Sequence, residues 1–519
     1  MKRLLLAATV ALAALAGNAA AQTTLVVAIA ADPTGLDPEA VLNNTSGFVM
    51  GTIYDSLLKY KSGSTDVEPG LAESWEASPD GLTYTFHLRK GVTFHDGTPF
   101  NAPNYIKTIK RVLDKSDPDS IYNTGPVESF LDDTYGSVAS YEAIDDNTVV
   151  FRFKEVSGPF PTNLAMVWNG VVSPTAVTKY KKDFRNHPVG TGPFIFKEWR
   201  QADQVALDAN PNYWGGKPKV DHIVFKVMPD AQATLLAAKR GDVHIIADVS
   251  AQTLPAIRSD PNLVVLTQPG LVVNGIALPS DIKFFADKRV RQALNYAVDK
   301  ETLNKTLYQG MAVQLTSPLP SAQWGFDPSL KGYSYDPEKA KKLLAEAGYP
   351  DGFECELLSY STPRGYNPAG PELAVAVQGY LQKVGVKVNI RKQEMGAFLA
   401  EVRSGKYDKG MFTSGFSGDN GDPDNFLYIL FASPSMPVND TSHYKNPEVD
   451  KMLGDARHTA DHATRLELYK KAQAIILDEA PWIFINSVLQ TRVTRKEVKG
   501  FVLNPTQMLL EMEKVSLAK

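Results

Sequence analysis

Apolar and polar positions along the 519-residue chain divide it into stretches of different period. Residues 4–16 form one apolar run behind the basic start Met1, Lys2 and Arg3, and small residues follow at 19–21; this is the pattern of an export signal, too short for a membrane span. Residues 25–30 (LVVAIA) read as a buried strand that ends in turn residues, which places Thr34 at a strand's carboxyl end. Tyr84, Phe86 and Leu88, then Val149, Phe151 and Phe153, alternate with polar neighbours as strands with one buried face do. A helix near 104–113 lies between them, so residues 48–186 read as an inserted α+β domain. Strands at 194–199, 204–207 and 221–228 and a helix at 231–240 follow.

The second half has an α/β rhythm. Residues 287–304 carry apolar positions at helical spacing, and Asp336 with Pro337 opens a helix that Gly348 closes. Strand 353–358, helix 371–384 and strand 386–390 make a βαβ unit, which requires parallel pairing and a right-handed crossover. A short strand at 407–413 and closing strands at 482–485 and 499–503 complete the pattern. The glycine-rich VGTGPF at 189–194 is followed by strand alternation and not by a helix N-terminus, so it is not read as a phosphate loop.

Composition narrows the function classes. The net charge of −4 falls to about −6 without Lys2 and Arg3, and no basic cluster with interleaved aromatics occurs, so nucleic acid is not an expected partner. Cys355 is the only cysteine, so stability has to come from ordinary cores, and an anchor on a cysteine following a cleavage after Ala21 is not expected. The eight histidines are scattered and no metal or cofactor motif is present. H-E-x-x-H is absent, and GFSGD lacks the second glycine of G-x-S-x-G.

Two segments stand at strand ends, where open α/β sheets place their ligand crevice. One is SYSTPRGYNP (359–368) with Arg364, the other GFSGDNGDPDN (415–425) with Asp419. A carboxylate suits an ammonium group and a guanidinium fork suits a carboxylate, so the pair fits a zwitterion. Polar turn and solvated loop cation stand as the alternatives; a calcium loop fails because Gly421 or Pro423 falls where an acidic ligand is required.

PGLAESWEASPDGLTYTFHLRKGVTFHDG (69–97), VGTGPF, VRQALNYAVDK (290–300), YDPEKAKKLLAEAG (335–348), GDNGDPDN (418–425) and VTRKEVKGF (493–501) together resemble the peptide and nickel class of extracytoplasmic substrate-binding proteins of ABC importers, family 5. RGYNP with GDNGDPDN points to its dipeptide-binding branch. The resemblance implies a two-lobed periplasmic binding protein fold (class II type, cluster C) with the extra α+β domain in the first lobe: lobe I from 22–47, 187–268 and 484–519, the insert 48–186, lobe II 269–483. It implies that Asp419 takes the ligand's amino group and Arg364 its carboxylate. Ligand backbone is expected beside Gly415, Phe416, Ser417 and Gly418, and near Thr34, with Tyr360 and Tyr366 as aromatic walls. The implied partners are a short peptide, an inner-membrane ABC permease and, as a further candidate, a chemoreceptor; the protein is expected to be a periplasmic monomer and not an enzyme. Oligopeptides, glutathione-like peptides, heme and nickel remain alternative ligands, and a secreted hydrolase the distant one. Cysteines that form disulfides in some relatives are missing from 430–436. Hinges are expected at 269–275 and 478–484.

Overall fold

The computed structural model describes residues 22–123, 127, 134–437 and 439–518; the expected leader, 1–21, lies outside them. A twelve-stranded mixed sheet runs through both halves of the molecule. From one edge it reads Lys387–Gln393, Glu354–Tyr360, Gly410–Ser417, Val272–Ala277, Trp482–Arg495, Ile245–Ile246, Thr24–Ile29, His222–Val227, Gln204–Ala209 and Phe194–Arg200. Leu263–Pro269 and Ala312–Gln314 pair separately with Trp482–Arg495. The βαβ unit has the expected parallel register, Glu354 opposite Lys387 through Tyr360 opposite Gln393.

A second, separate sheet is antiparallel and lies within the segment 48–186: Ala72–Ala77, Thr83–Leu88, Thr148–Phe153 and Val138–Asp145. Its inward positions are aromatic, and Phe160 meets Phe151 and Phe153 edge-on at 5.4 and 4.7 Å. Helix Ala102–Leu113 covers it, started by Asn101, whose side chain accepts from the Asn104 amide.

Several elements differ from the sequence pattern for local reasons. The helix expected over 287–304 is two, Lys288–Ala297 and Lys300–Thr306, because Asp299 accepts from the Thr302 amide and starts a new N-terminus. The strand expected at 482–485 continues to Arg495, and the polar residues that masked it, Asn486, Gln490 and Thr494, are buried. The expected strand at 499–503 is reduced to Val498–Lys499. The glycines of VGTGPF allow close backbone approach: a Cβ on Gly190 or Gly192 would lie 2.3 or 2.6 Å from the Ile53 carbonyl oxygen.

Arg111 fastens the insert to the strand-end loop after Thr24–Ile29. Its guanidinium is 2% exposed, grips both oxygens of Asp37 at 2.6 and 3.1 Å and also donates to Glu39. One guanidinium faces two buried carboxylates. Burial, with the charge of Asp37 adding to it, outweighs the pull of Arg111 and pushes Glu39 up to about 8. A carboxyl raised in the fold contributes stability at low pH that is lost as pH rises through that value. The denaturant midpoint is therefore expected to fall between pH 5 and 9, and Glu39→Gln to flatten that fall; equal slopes in both proteins would contradict the assignment. Arg111→Met, which strands the acids, is expected to cost about 3–5 kcal/mol in the same titration.

Candidate functional site

Strand Gly410–Ser417 is longer than the pattern predicts, and its last four residues carry the site. One edge pairs with Val272–Ala277 over its whole length, from Phe412 opposite Ala277 to Ser417 opposite Val272. The other edge pairs with Glu354–Tyr360 only as far as Phe412 opposite Leu358. Backbone groups alternate between the two edges of a strand. Since the Gly418 amide donates to Leu271, Gly415 and Ser417 turn their amide and carbonyl groups toward the unpaired side. That edge has room for a short extended segment.

Tyr366 stands over this edge. A Cβ on Gly415 would lie 2.8 Å from the Tyr366 ring and 2.4 Å from Asn274 Oδ1, which is why a glycine is needed there. Fully buried Asn274 donates to the Tyr366 carbonyl at 2.6 Å and to Asn486 Oδ1 at 3.2 Å, tying the 364–367 turn to the middle of the sheet. The turn itself closes through Arg364 and Asn367, whose backbone groups exchange two 3.0 Å hydrogen bonds. Burial pushes the Tyr366 phenol up, while Arg364, hydrogen-bonded to it, and Arg403 pull the other way.

The acidic loop divides its carboxylates by task. Asp422 is fully buried against Arg465 at 2.7 Å and accepts from the Asp424 amide. Asp424 lies 3.9 Å from Arg457 at the start of helix Asp424–Phe431, where negative charge is favoured. Asp419 is half-buried, its amide held by Asn425 Oδ1 at 2.8 Å, and it lines a cavity with Asn163, Asn425 and Ile429. The inserted segment holds the loop: Tyr60 donates to the Asn420 carbonyl at 2.8 Å, and Asn420 Nδ2 to Asn163 Oδ1 at 2.5 Å. A neighbouring cavity is lined by Tyr366, Arg403, Phe412, Gly415 and Phe416, and Ile429 is a wall of both.

The structure thus gathers Asp419, Gly415, Phe416 and Tyr366 around two adjoining cavities. Ser417 turns its backbone to the open edge, and Gly418 packs under Phe426, 2.4 Å from where a Cβ would be. Arg364 is exposed and does not line either cavity. Tyr360 is 1% exposed, beneath Tyr366 and edge-on to Phe398 at 5.5 Å, so it supports the wall instead of forming it. Thr34 is exposed, its amide bonded to Ser46 Oγ, and it lines neither cavity. Sequence reasoning missed Asn274, Asn486 and Arg403. For Asn274 a signal existed, a lone amide in the apolar run VVNGIA; Arg403 follows helix Met395–Val402 with no distinguishing pattern. Among the described residues no group of three or more His, Cys, Asp or Glu side chains is placed to hold a metal ion.

Gly415→Ala is expected to lower folding stability by about 1–3 kcal/mol through overpacking against Tyr366 and Asn274. Near-ultraviolet dichroism should report the displaced tyrosine; an unaltered melt and spectrum would refute the contact.

The profile of the bacterial extracellular solute-binding proteins, family 5 (middle), matches residues 66–437. The chain is 36% identical over 501 residues to heme-binding protein A of Haemophilus influenzae, covering 94% of this chain and 91% of that one. It is 34% identical over 498 residues to the dipeptide-binding protein of Escherichia coli, covering 93% and 92%. The solved structure of HbpA2 from Haemophilus parasuis superposes with a TM-score of 0.90 at 33% identity, over 96% of this chain and all of that one. Among the described residues no helix is long and apolar enough to cross a membrane. The fold, the profile match and these relatives agree: the chain belongs to the family 5 extracellular solute-binding proteins, two-lobed binding proteins and not enzymes.

Proposed function

We infer that the protein captures short peptides, dipeptides foremost, in the periplasm and delivers them to the permease of an ABC importer. The observation that carries this reading is the arrangement around one open strand edge. Gly415 and Ser417 offer backbone groups, Asp419 lines the cavity at one end, and Tyr366 with Arg364 stands at the other. A dipeptide in extended form presents complementary groups in that order: an ammonium, one peptide unit, a carboxylate. Backbone pairing leaves side-chain identity largely unread, which suits a receptor for nutrients of mixed sequence. Arg364 closes on the carboxylate by moving with the 364–367 turn around Tyr366.

Capture by closure of two lobes follows from the chain crossings. Leu263–Pro269 and Val272–Ala277 pair with the same strand on either side of the joint at 270–271, opposite residues 486–489. Lobe boundaries near 269 and 484 and cleavage of the leader after Ala21 belong to this reading.

Heme is the second reading, favoured by the identity with heme-binding protein A. Its propionates suit the arginines, but it has no ammonium group for Asp419. The two readings therefore separate in one experiment on unfolded, dialysed and refolded protein. Ala-Ala is expected to bind, Ala-Ala-amide and Ala-Ala-Ala-Ala to bind more weakly, and Asp419→Ala to cost the dipeptide about 3–5 kcal/mol, or roughly two to three and a half decades in affinity. Equal binding of all three peptides would move the ligand to oligopeptides. Heme binding that Asp419→Ala leaves unchanged, with no peptide binding, would establish the second reading.

A further inference from the structure

Arg403 is a charge that a simple zwitterion leaves unanswered. It follows helix Met395–Val402, whose last turn accepts its backbone amide at Leu399, and its side chain lines the cavity of Tyr366, Gly415 and Phe416. It is the one charged residue among those lining that cavity, and no carboxylate lines it. The nearest acid in sequence, Glu401, is already held by Arg391 at 2.6 Å and Gln393 at 2.9 Å. Phe398, Leu399, Phe412 and Leu430 supply apolar walls, and Thr413, Ser414, Asn439 and Thr441 neutral polar ones. Arg364 does not line this cavity, although its charge, like that of Arg403, acts on the Tyr366 phenol.

The proposed peptide site gives Asp419 to the ligand's ammonium group and Arg364 to its terminal carboxylate. Arg403 then brings a second positive charge to the same ligand end, in a cavity that Arg364 does not line. One bidentate fork from a single guanidinium satisfies a carboxylate, so a second guanidinium at the same end has a further acid to take. Opposite charge at such a place selects among ligands more than it raises affinity for all of them.

We propose that Arg403 is a specificity residue that selects short peptides with a second carboxylate on the carboxyl-terminal residue, the apolar walls taking that side chain's methylene groups and the guanidinium its acid. The assignment rests on the peptide reading above and adds to it a ligand class, acid-ended peptides of net charge −1.

Calorimetric titration of the refolded protein and of Arg403→Gln and Arg403→Lys with Ala-Glu, Ala-Gln and Ala-Leu tests it. The native protein is expected to bind Ala-Glu at least tenfold more tightly than its isostere Ala-Gln. Arg403→Gln should weaken Ala-Glu about thirtyfold and change Ala-Gln and Ala-Leu less than threefold, and Arg403→Lys should recover part of the loss. The side chain is exposed, so unchanged melting temperatures are expected for both variants. Equal affinity of the native protein for Ala-Glu and Ala-Gln would overturn the proposal. So would a uniform loss for all three peptides in Arg403→Gln, which would make Arg403 a partner of the terminal carboxylate, or no loss at all. Failure of the native protein to bind any of the three would instead overturn the peptide reading, and this assignment with it.

Discussion

The hydrogen-bond ladder along Trp482–Arg495 is the constraint on which the other features rest. Fourteen residues of one strand serve both halves of the molecule: Val272–Ala277 pairs with its first part, Leu263–Pro269 and Ile245–Ile246 with its last. Buried backbone groups have to stay paired, so the two halves cannot separate along this line without large cost. The partner strand changes at 270–271. Pro269, which has no amide to contribute, stands opposite Leu489, and Gly270 approaches so closely that a Cβ would lie 2.8 Å from the Val488 carbonyl oxygen. The same strand supplies Asn486, which accepts from Asn274 and donates to Asn304, and Asn274 in turn holds the turn that carries Arg364. One buried amide chain therefore links this strand to the turn of Tyr366.

At the opposite pole the physical problem is to keep three carboxylates close together. Asp422 is neutralised by Arg465, which also donates to Tyr469, to the Ala456 carbonyl and, across to the insert, to the Gly158 carbonyl. Asp424 sits at a helix start beside Arg457. With two acids committed to structure, the loop is rigid enough to present Asp419 to the cavity. Tyr60 and Asn163, far away in sequence, also hold the loop through Asn420.

Much of the fold was legible in the sequence, because the βαβ unit and the alternating strands at 83–88 and 148–153 follow from period, caps and turn chemistry. The failures share a cause: each is a residue whose role is set by a distant partner. Gly415 and Gly418 read as loop residues, yet they lie in or next to a strand, their missing side chains replaced by Tyr366 and Phe426. Asn486, Gln490 and Thr494 broke the apolar pattern of the long strand, so its end was read too early. Along that strand the change of pairing partner falls at 486–489, and the second expected hinge, 478–484, precedes it in sequence. Tyr360 was read as a wall and is a buried support; Arg403 has no local pattern to mark it.

The central claim is that Asp419 reads the ligand's ammonium group. The most direct measurement is a cycle of Asp419→Asn and native protein against Ala-Ala and N-acetyl-Ala-Ala by calorimetry. Acetylation is expected to weaken binding to the native protein about a hundredfold or more and to matter little to the variant, since the two changes remove the same pair. A penalty for acetylation that is the same in both proteins would show that the ammonium group lies elsewhere, and would contradict the account.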